Sequence, residues 1–181
     1  EMKILNPGAD GIGEIAVKGP MVFKGYYKMP EATREVFTED GFFKTGDLGW
    51  LDDEGFLMLS GRAKNLIVTA GGKNVYPEEI ENAFQLFSDV NQVTVQAYVE
   101  DEKSKDEEIE ALIYVSDDVY ARLGLERKNN EQNEQVFKII KEIVDKVNKT
   151  QQPYARISKI TLLEQPLEMT TTQKVKRNYK K

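Results

Sequence analysis

The chain contains neither cysteine nor histidine. Without cysteine it can form no disulfide, no thiol nucleophile and no cysteine-ligated metal site. Without histidine it can form neither a Ser-His-Asp triad nor most kinds of zinc site. It also has no run approaching the roughly 18 apolar residues that a membrane-spanning helix needs. Any catalytic group must therefore be a lysine, an arginine, a carboxylate or a hydroxyl, and we expect this chain to supply no metal ligands.

The composition is typical of a folded globular protein, with 40% hydrophobic and 31% charged residues. A length of 181 residues allows one domain with a sizeable core or two small ones. The net charge of -6 argues against a nucleic-acid-binding surface. We expect a cytoplasmic protein, and leave open a peripheral contact between its basic C-terminal residues and anionic lipid. We expect the aromatic residues Phe42, Phe43, Trp50 and Phe56 to belong to a core.

The pattern of residues divides the chain into two sections near residue 64. Residues 1–63 combine short strand patterns, over 12–18 and 56–59, with a short helix over 30–37 and many turns, which predicts a small β-rich subdomain. The rest follows the order ββαββαβ, which predicts a compact α+β domain with helices on one side of a sheet. Its predicted strands cover 66–69, 73–76, 90–99, 109–115 and 158–163, and its predicted helices cover 77–87 and 131–149.

Two short motifs in the first section suit a nucleotide. In Thr45-Gly46-Asp47 the glycine permits a tight turn that presents a carboxylate, and a carboxylate can accept hydrogen bonds from both hydroxyls of a ribose. Standing alone, the same motif is more often a plain turn. The guanidinium of Arg62 offers a fork of donors suited to phosphate or ribose oxygens, although a lone arginine more often forms a surface salt bridge. The order of the two motifs favours the nucleotide interpretation.

Three blocks of sequence, in this order, resemble the C-terminal third of the adenylate-forming enzymes. That superfamily comprises acyl-CoA synthetases, peptide-synthetase adenylation domains and luciferases. The resemblance covers essentially the whole chain and implies three parts: residues 1–63 as the last β subdomain of a large N-terminal AMP-binding domain, 64–65 as a hinge, and 66–181 as a mobile C-terminal lid domain. The three blocks are Phe43-Lys-Thr-Gly-Asp-Leu-Gly49, the stretch from Gly61-Arg62 to Pro77-Glu-Glu-Ile-Glu81, and Thr170-Thr-Thr-Gln-Lys-Val-Lys-Arg177.

The resemblance assigns roles to several residues. It implies that Asp47 holds the ribose, that Arg62 contacts the nucleotide and that Lys64 is the hinge residue. It also implies that the loop containing Gly71 and Gly72 swings toward the active site and lines the channel for coenzyme A. Glycine suits such a channel because no side chain obstructs a narrow ligand.

Lys174 is implied to be the catalytic lysine. An ammonium can offset negative charge as a carboxylate approaches the α-phosphate, without any proton transfer. Thr170 and Arg177 stand at the family's positions four before and three after this lysine, whereas Gln173 replaces the family's usual glycine. The looser pattern Thr-x-Thr-x-Lys-x-Lys-Arg is similar to that of long-chain acyl-CoA synthetases, and it leaves Lys176 as the alternative reactive lysine. A solvated basic tail is the ordinary explanation of such a terminus.

The implied activity is that of an ATP-dependent acyl-CoA synthetase. With its own N-terminal domain, the chain would use ATP, Mg²⁺, coenzyme A and a carboxylic acid, by its motif a long-chain fatty acid. An adenylation domain that loads a carrier protein is one alternative, and a non-catalytic module that keeps the fold is another. We expect the isolated 181 residues to be inactive, because the acyl and phosphate-loop segments of the family lie upstream.

Overall fold

The computed structural model divides the chain into two compact units. The first unit is Glu1–Leu66 and the second is Ile67–Lys181. The structure describes residues 1–99, 107–127, 134–171 and 175–177.

The first unit is built on a four-stranded antiparallel sheet in the order β1-β2-β3-β4. One short helix connects β2 to β3, and one 3-10 turn follows β4. The β-rich character predicted for this section is confirmed. The elements are β1 (Met2–Leu5), β2 (Gly13–Val17), α1 (Pro30–Val36), β3 (Phe43–Leu51), β4 (Leu57–Arg62) and the 3-10 turn Ala63–Asn65.

The aromatic residues of this unit divide between a small core and the surface. Phe42 is buried, and Phe43 packs in a ring cluster whose centroids lie 5.1 to 5.7 Å apart. The expectation that Trp50 and Phe56 belong to the core is wrong, because both are exposed. Phe56 closes the β3–β4 turn through hydrogen bonds with Asp52, at the end of the hairpin where little packs around it. The other members of the ring cluster are Phe23, Tyr26 and Phe37.

The second unit combines a two-stranded pair with a three-stranded sheet. Strands β5 and β6 pair with each other, while the larger sheet has the order β7-β8-β9, antiparallel between β7 and β8 and parallel between β8 and β9. The predicted α+β class is confirmed. The elements are β5 (Ile67–Val68), β6 (Asn74–Val75), α2 (Pro77–Phe84), β7 (Val90–Val99), β8 (Glu107–Val115), α3 (Asp117–Leu123), α4 (Glu134–Thr150), the 3-10 turn Pro153–Ala155 and β9 (Lys159–Leu162).

The predicted order ββαββαβ missed one helix. The observed order is ββαββααβ, because α3 follows β8 directly. The Ser116 hydroxyl caps this helix by accepting from the Asp118 amide at 3.4 Å, and Gly124 ends it with a φ of +65°. The predicted start of the last helix, at residues 131–133, lies outside the described residues. No helix among the described ranges is long and apolar enough to cross a membrane.

One apolar core holds the second unit together. Alternate residues of β7 and β8 place one face of the sheet in this core, and α4 contributes apolar residues at helical spacing. The face predicted for α4 is confirmed. Its buried residues are Val136, Ile140, Ile143, Val144 and Val147.

The opposite face of the same sheet carries a buried carboxylate. Glu110 accepts hydrogen bonds from Gln96 at 2.9 Å and Thr161 at 2.7 Å, and it forms an ion pair with Lys159 at 3.0 Å. Burial raises the pKa of Glu110, but the three donors outweigh burial and hold the pKa below its ordinary value. The sheet therefore presents one apolar and one polar face.

We expect Phe84→Ala to destabilise the second unit by about 3 to 5 kcal/mol, because Phe84 fills the core and the small residue leaves a cavity. Phe137→Ala is the matched control, since that side chain of α4 is 37% exposed, and we expect it to cost about 1 kcal/mol or less. Urea denaturation followed by circular dichroism measures both. Equal losses would contradict the position of Phe84 in the core.

Candidate functional site

The motif Thr45-Gly46-Asp47 forms a bulge inside β3. Three residues of β3, 45–47, face the single residue Ile15 of β2, because the flanking residues keep their antiparallel pairing. Gly46 has a φ of +73°, a conformation that glycine adopts without steric cost. The bulge turns the backbone out of the regular ladder, as bulges near binding sites often do.

Side-chain hydrogen bonds hold the bulge in shape. The Thr45 hydroxyl donates to the Ile15 carbonyl at 2.8 Å and accepts from the Asp47 amide at 3.0 Å. The Gly46 amide donates to a carboxylate oxygen of Glu14 at 3.1 Å. The backbone that carries Asp47 is therefore fixed by neighbouring groups.

Arg62, the last residue of β4, lies directly opposite Asp47 across the sheet. Its Nε is 3.0 Å from Asp47 Oδ1, and its Nη1 donates to the Thr45 carbonyl at 3.2 Å. The two side chains are 56% and 42% exposed, so the pair contributes about 1 kcal/mol or less to stability. The structure thus brings these two predicted site residues together as an accessible carboxylate beside an accessible guanidinium.

Lys64 lies in the 3-10 turn that follows Arg62. Its side chain is exposed, and the chain divides into its two units two residues later, after Leu66. The hinge role of Lys64 stays a prediction.

Gly71 and Gly72 lie in the loop between β5 and β6. The loop is closed by hydrogen bonds from the Thr69 amide to the Lys73 carbonyl at 3.0 Å and from the Gly72 amide to the Thr69 carbonyl at 2.8 Å. Gly72 has a φ of +68°, whereas Gly71 has no positive φ. A Cβ atom at either position would meet no other atom within 4 Å. Within the second unit, the loop is therefore bare and open on its outer side.

Lys174 lies outside the described residues, but the chain on both sides of it is described. Met169 and Val175 form an antiparallel bridge, and the Lys176 amide donates to the Glu168 carbonyl at 2.7 Å. The Lys176 ammonium, the alternative reactive group, is exposed and lies 3.2 Å from the Glu168 carboxylate.

Arg177 connects the end of this segment to the rest of the second unit. Its Nη2 is 2.5 Å from Glu81 Oε1 in α2 and 3.8 Å from a carboxylate oxygen of Glu78, while its Nη1 donates to the Val95 carbonyl in β7 at 3.1 Å. Burial raises the pKa of the Glu81 carboxyl above its ordinary value, and the charge of Arg177 acts in the opposite direction. From the sequence we expected no catalytic role for residues 77–81 and did not predict the contact between α2 and Arg177.

The chain is similar in sequence to several curated ligases. It is 49% identical over 85 residues to the long-chain-fatty-acid–CoA ligase ACSBG1 of Rattus norvegicus, which is 47% of this chain and 12% of that ligase. It is 51% identical over 83 residues to FadD15 of Mycobacterium tuberculosis, covering 46% and 14%. Sulfoacetate–CoA ligase of Cupriavidus necator is 53% identical over 78 residues, covering 42% and 15%. No protein-family model matches the chain.

Solved structures match over nearly the whole chain. O-succinylbenzoate coenzyme A synthetase of Bacillus subtilis, in complex with ATP and magnesium ion, has a TM-score of 0.70 at 28% identity, over 97% of this chain and 32% of that one. An ATP-bound RpMatB–BxBclM chimera gives 0.72 at 30% identity with the same coverage. The chain thus spans about a third of these structures, and the resemblance to adenylate-forming enzymes is confirmed.

We expect Gly72→Ala to destabilise the second unit by about 1 kcal/mol, because alanine is strained at a φ of +68°. Gly71→Ala is the matched control in the same loop, and we expect no loss, because that position has neither a positive φ nor a close neighbour. Urea denaturation of the two variants tests this difference. A loss at Gly71 equal to that at Gly72 would contradict the loop geometry.

Proposed function

We propose that the chain is the C-terminal part of an ATP-dependent acyl-CoA synthetase, which activates a carboxylic acid as an acyl-adenylate and transfers the acyl group to coenzyme A. The observation that carries this proposal is the accessible ion pair between Asp47, on a fixed bulge of β3, and Arg62, at the end of β4. The similarity of the chain to CoA ligases, over 42 to 47% of its length, supports the proposed reaction class.

Asp47 and Arg62 have the chemistry that a nucleotide needs. The Asp47 carboxylate can accept hydrogen bonds from the ribose hydroxyls, and the Arg62 guanidinium can donate to ribose or phosphate oxygens. Their existing ion pair orients both groups before the nucleotide arrives. Among the described residues, no group of three or more Asp, Glu, His or Cys could hold a metal ion, so Mg²⁺ would arrive with the ATP phosphates.

Lys174 would act in the first half-reaction. A carboxylate oxygen of the acid attacks the α-phosphorus of ATP, the bond to pyrophosphate breaks, and acyl-AMP forms. The Lys174 ammonium would stabilise the negative charge that gathers as these groups approach. The described residues around it are held by the bridge between Met169 and Val175 and by the contacts of Arg177, which supports a lysine whose position matters.

The second half-reaction would use the loop that contains Gly71 and Gly72. In this proposal the lid rotates about Lys64, and the loop of Gly71 and Gly72 replaces the lysine segment. The thiolate of coenzyme A attacks the acyl carbonyl carbon, and AMP leaves. The two glycines leave open space beside the loop backbone, which would suit the narrow pantetheine arm.

A long-chain fatty acid is our proposed substrate. The pattern Thr-x-Thr-x-Lys-x-Lys-Arg and the similarity to ACSBG1 and FadD15 support it. A sulfoacetate–CoA ligase is just as similar over a comparable length. The choice of acid would therefore depend on the upstream domain, which we propose as the partner of this chain.

We expect Lys174→Ala, in the longer ligase that contains this chain, to slow pyrophosphate release by about 100- to 1,000-fold. The physical reason is the loss of charge stabilisation in the first half-reaction, so thioester formation from supplied acyl-adenylate should stay near the wild-type rate. The rate of pyrophosphate release would be measured with palmitate and with acetate as the acid substrate. Lys176→Ala is the control: if it, rather than Lys174→Ala, abolishes release, the reactive lysine is Lys176.

We expect Asp47→Asn to raise the KM for ATP by about tenfold or more, because an ionised acceptor bonds a hydroxyl more strongly than an amide does. Initial rates at varied ATP measure the change. Asp53→Asn removes the same charge from an exposed turn of the same unit and should leave the KM unchanged. An unchanged KM in both variants would remove Asp47 from the nucleotide site.

A further inference from the structure

The segment that contains Lys174 is attached to the rest of the second unit by the ion pair between Arg177 and Glu81. The catalytic roles proposed above do not involve this ion pair. We propose that Glu81 is a positioning residue: through Arg177 it fixes this segment, whose described residues are 167–171 and 175–177, against the edge of β7. The catalytic consequence rests on the proposed function, but the fastening itself does not.

The contact depends on the open edge of β7. This strand is the first in the order β7-β8-β9, so one side of it has no neighbouring strand within the described part of the chain. The amide of Val95, a fully buried residue, donates to Glu81 Oε1 at 2.7 Å, and its carbonyl accepts from Arg177 Nη1 at 3.1 Å. Both backbone groups of this residue therefore take side chains as partners, and those two side chains also bind each other.

The charges in this contact are shielded from solvent. The Arg177 side chain is 18% exposed and the Glu81 side chain 19%. A charge at that depth needs an opposite charge and hydrogen bonds, because the loss of hydration otherwise disfavours it. Each partner here has both, and Glu78 adds a second carboxylate 3.8 Å from the guanidinium. Removing Glu81 would leave Arg177 with a weaker partner and release it from its position.

The segment is held at its other end as well. The Leu167 amide donates to the side chain of Gln92, also in β7, at 2.7 Å. Leu167 and Arg177 are thus both attached to β7, at residues three positions apart. Between them the chain turns back on itself through the Met169–Val175 bridge. Lys174 lies in sequence between the two attachments, so loss of the Arg177 contact would free one side of it.

A contact that merely stabilises the fold would behave differently from one that positions this segment. A general stabilising contact affects the whole unit equally when removed. A positioning contact affects the segment first, and in the ligase it affects the half-reaction that uses the lysine. Two measurements separate these possibilities.

The first measurement is amide hydrogen exchange in the 181-residue chain, for Glu81→Gln and Glu81→Ala. We expect exchange at the amides of Leu167 and Lys176 to accelerate tenfold or more, with core amides such as that of Ile113 unchanged. Glu142→Gln and Glu142→Ala remove the same group from an exposed position of α4 and should change neither. Equal acceleration at core and segment amides, or none at the segment, would overturn the proposal. The Gln variant keeps the side-chain shape, so the comparison survives if the Ala variant fails to fold.

The second measurement is the split between half-reactions in the longer ligase. We expect Glu81→Gln to lower the kcat of pyrophosphate release at least tenfold with little change in the KM for ATP, and to leave thioester formation from supplied acyl-adenylate intact. Arg177→Gln should lower the kcat of pyrophosphate release to a similar extent. The double variant should have a kcat no lower than that of either single variant. Equal slowing of both half-reactions would overturn a positioning role. If the wild-type ligase releases no pyrophosphate, the proposed function fails, while the exchange measurement still decides the fastening.

Discussion

The stability of the second unit depends on covering two parts of its three-stranded sheet, the apolar face and the open edge of β7. Helices α2, α3 and α4 contribute side chains to the same core as the inward residues of β7, β8 and β9. The apolar face is covered by side-chain packing, and the hydrophobic effect that drives this packing is not directional. The edge cannot be covered that way, because its amides and carbonyls require hydrogen-bond partners. At Val95 the side chains of Glu81 and Arg177 meet this requirement, so Arg177 is held against the sheet.

The first unit solves a different problem, which is how to present polar groups from a regular sheet. The bulge at residues 45–47 interrupts the ladder, and Gly46 supplies the backbone conformation that the interruption needs. The hydroxyl of Thr45 then satisfies the displaced amide of Asp47. As a result Asp47 faces Arg62 from a backbone that is fixed, although both side chains are accessible.

Periodic elements were predictable from the sequence, and irregular contacts were not. Strand β7 was predicted over 90–99, as observed, because its apolar residues alternate, and the inward face of α4 follows from its helical spacing. Helix α3 was missed because it has seven residues, although Ser116 and Gly124 are recognisable start and stop signals. The contact between Glu81 and Arg177 joins residues 96 positions apart, and no local pattern encodes such a pair. The bulge was likewise hidden, because Thr-Gly-Asp is compatible with many turns.

The attachment of Arg177 also bears on how far the chain can be shortened. A version ending before this residue would lose the guanidinium that occupies the Val95 carbonyl. The Val95 carbonyl would then be left without this partner, although the Val95 amide would keep its bond to Glu81. Unpaired groups at a strand edge can recruit strands of other molecules. Arg177 would thus help to keep β7 from pairing with strands of other molecules, and a version that lacks this residue would be more prone to aggregate through β7.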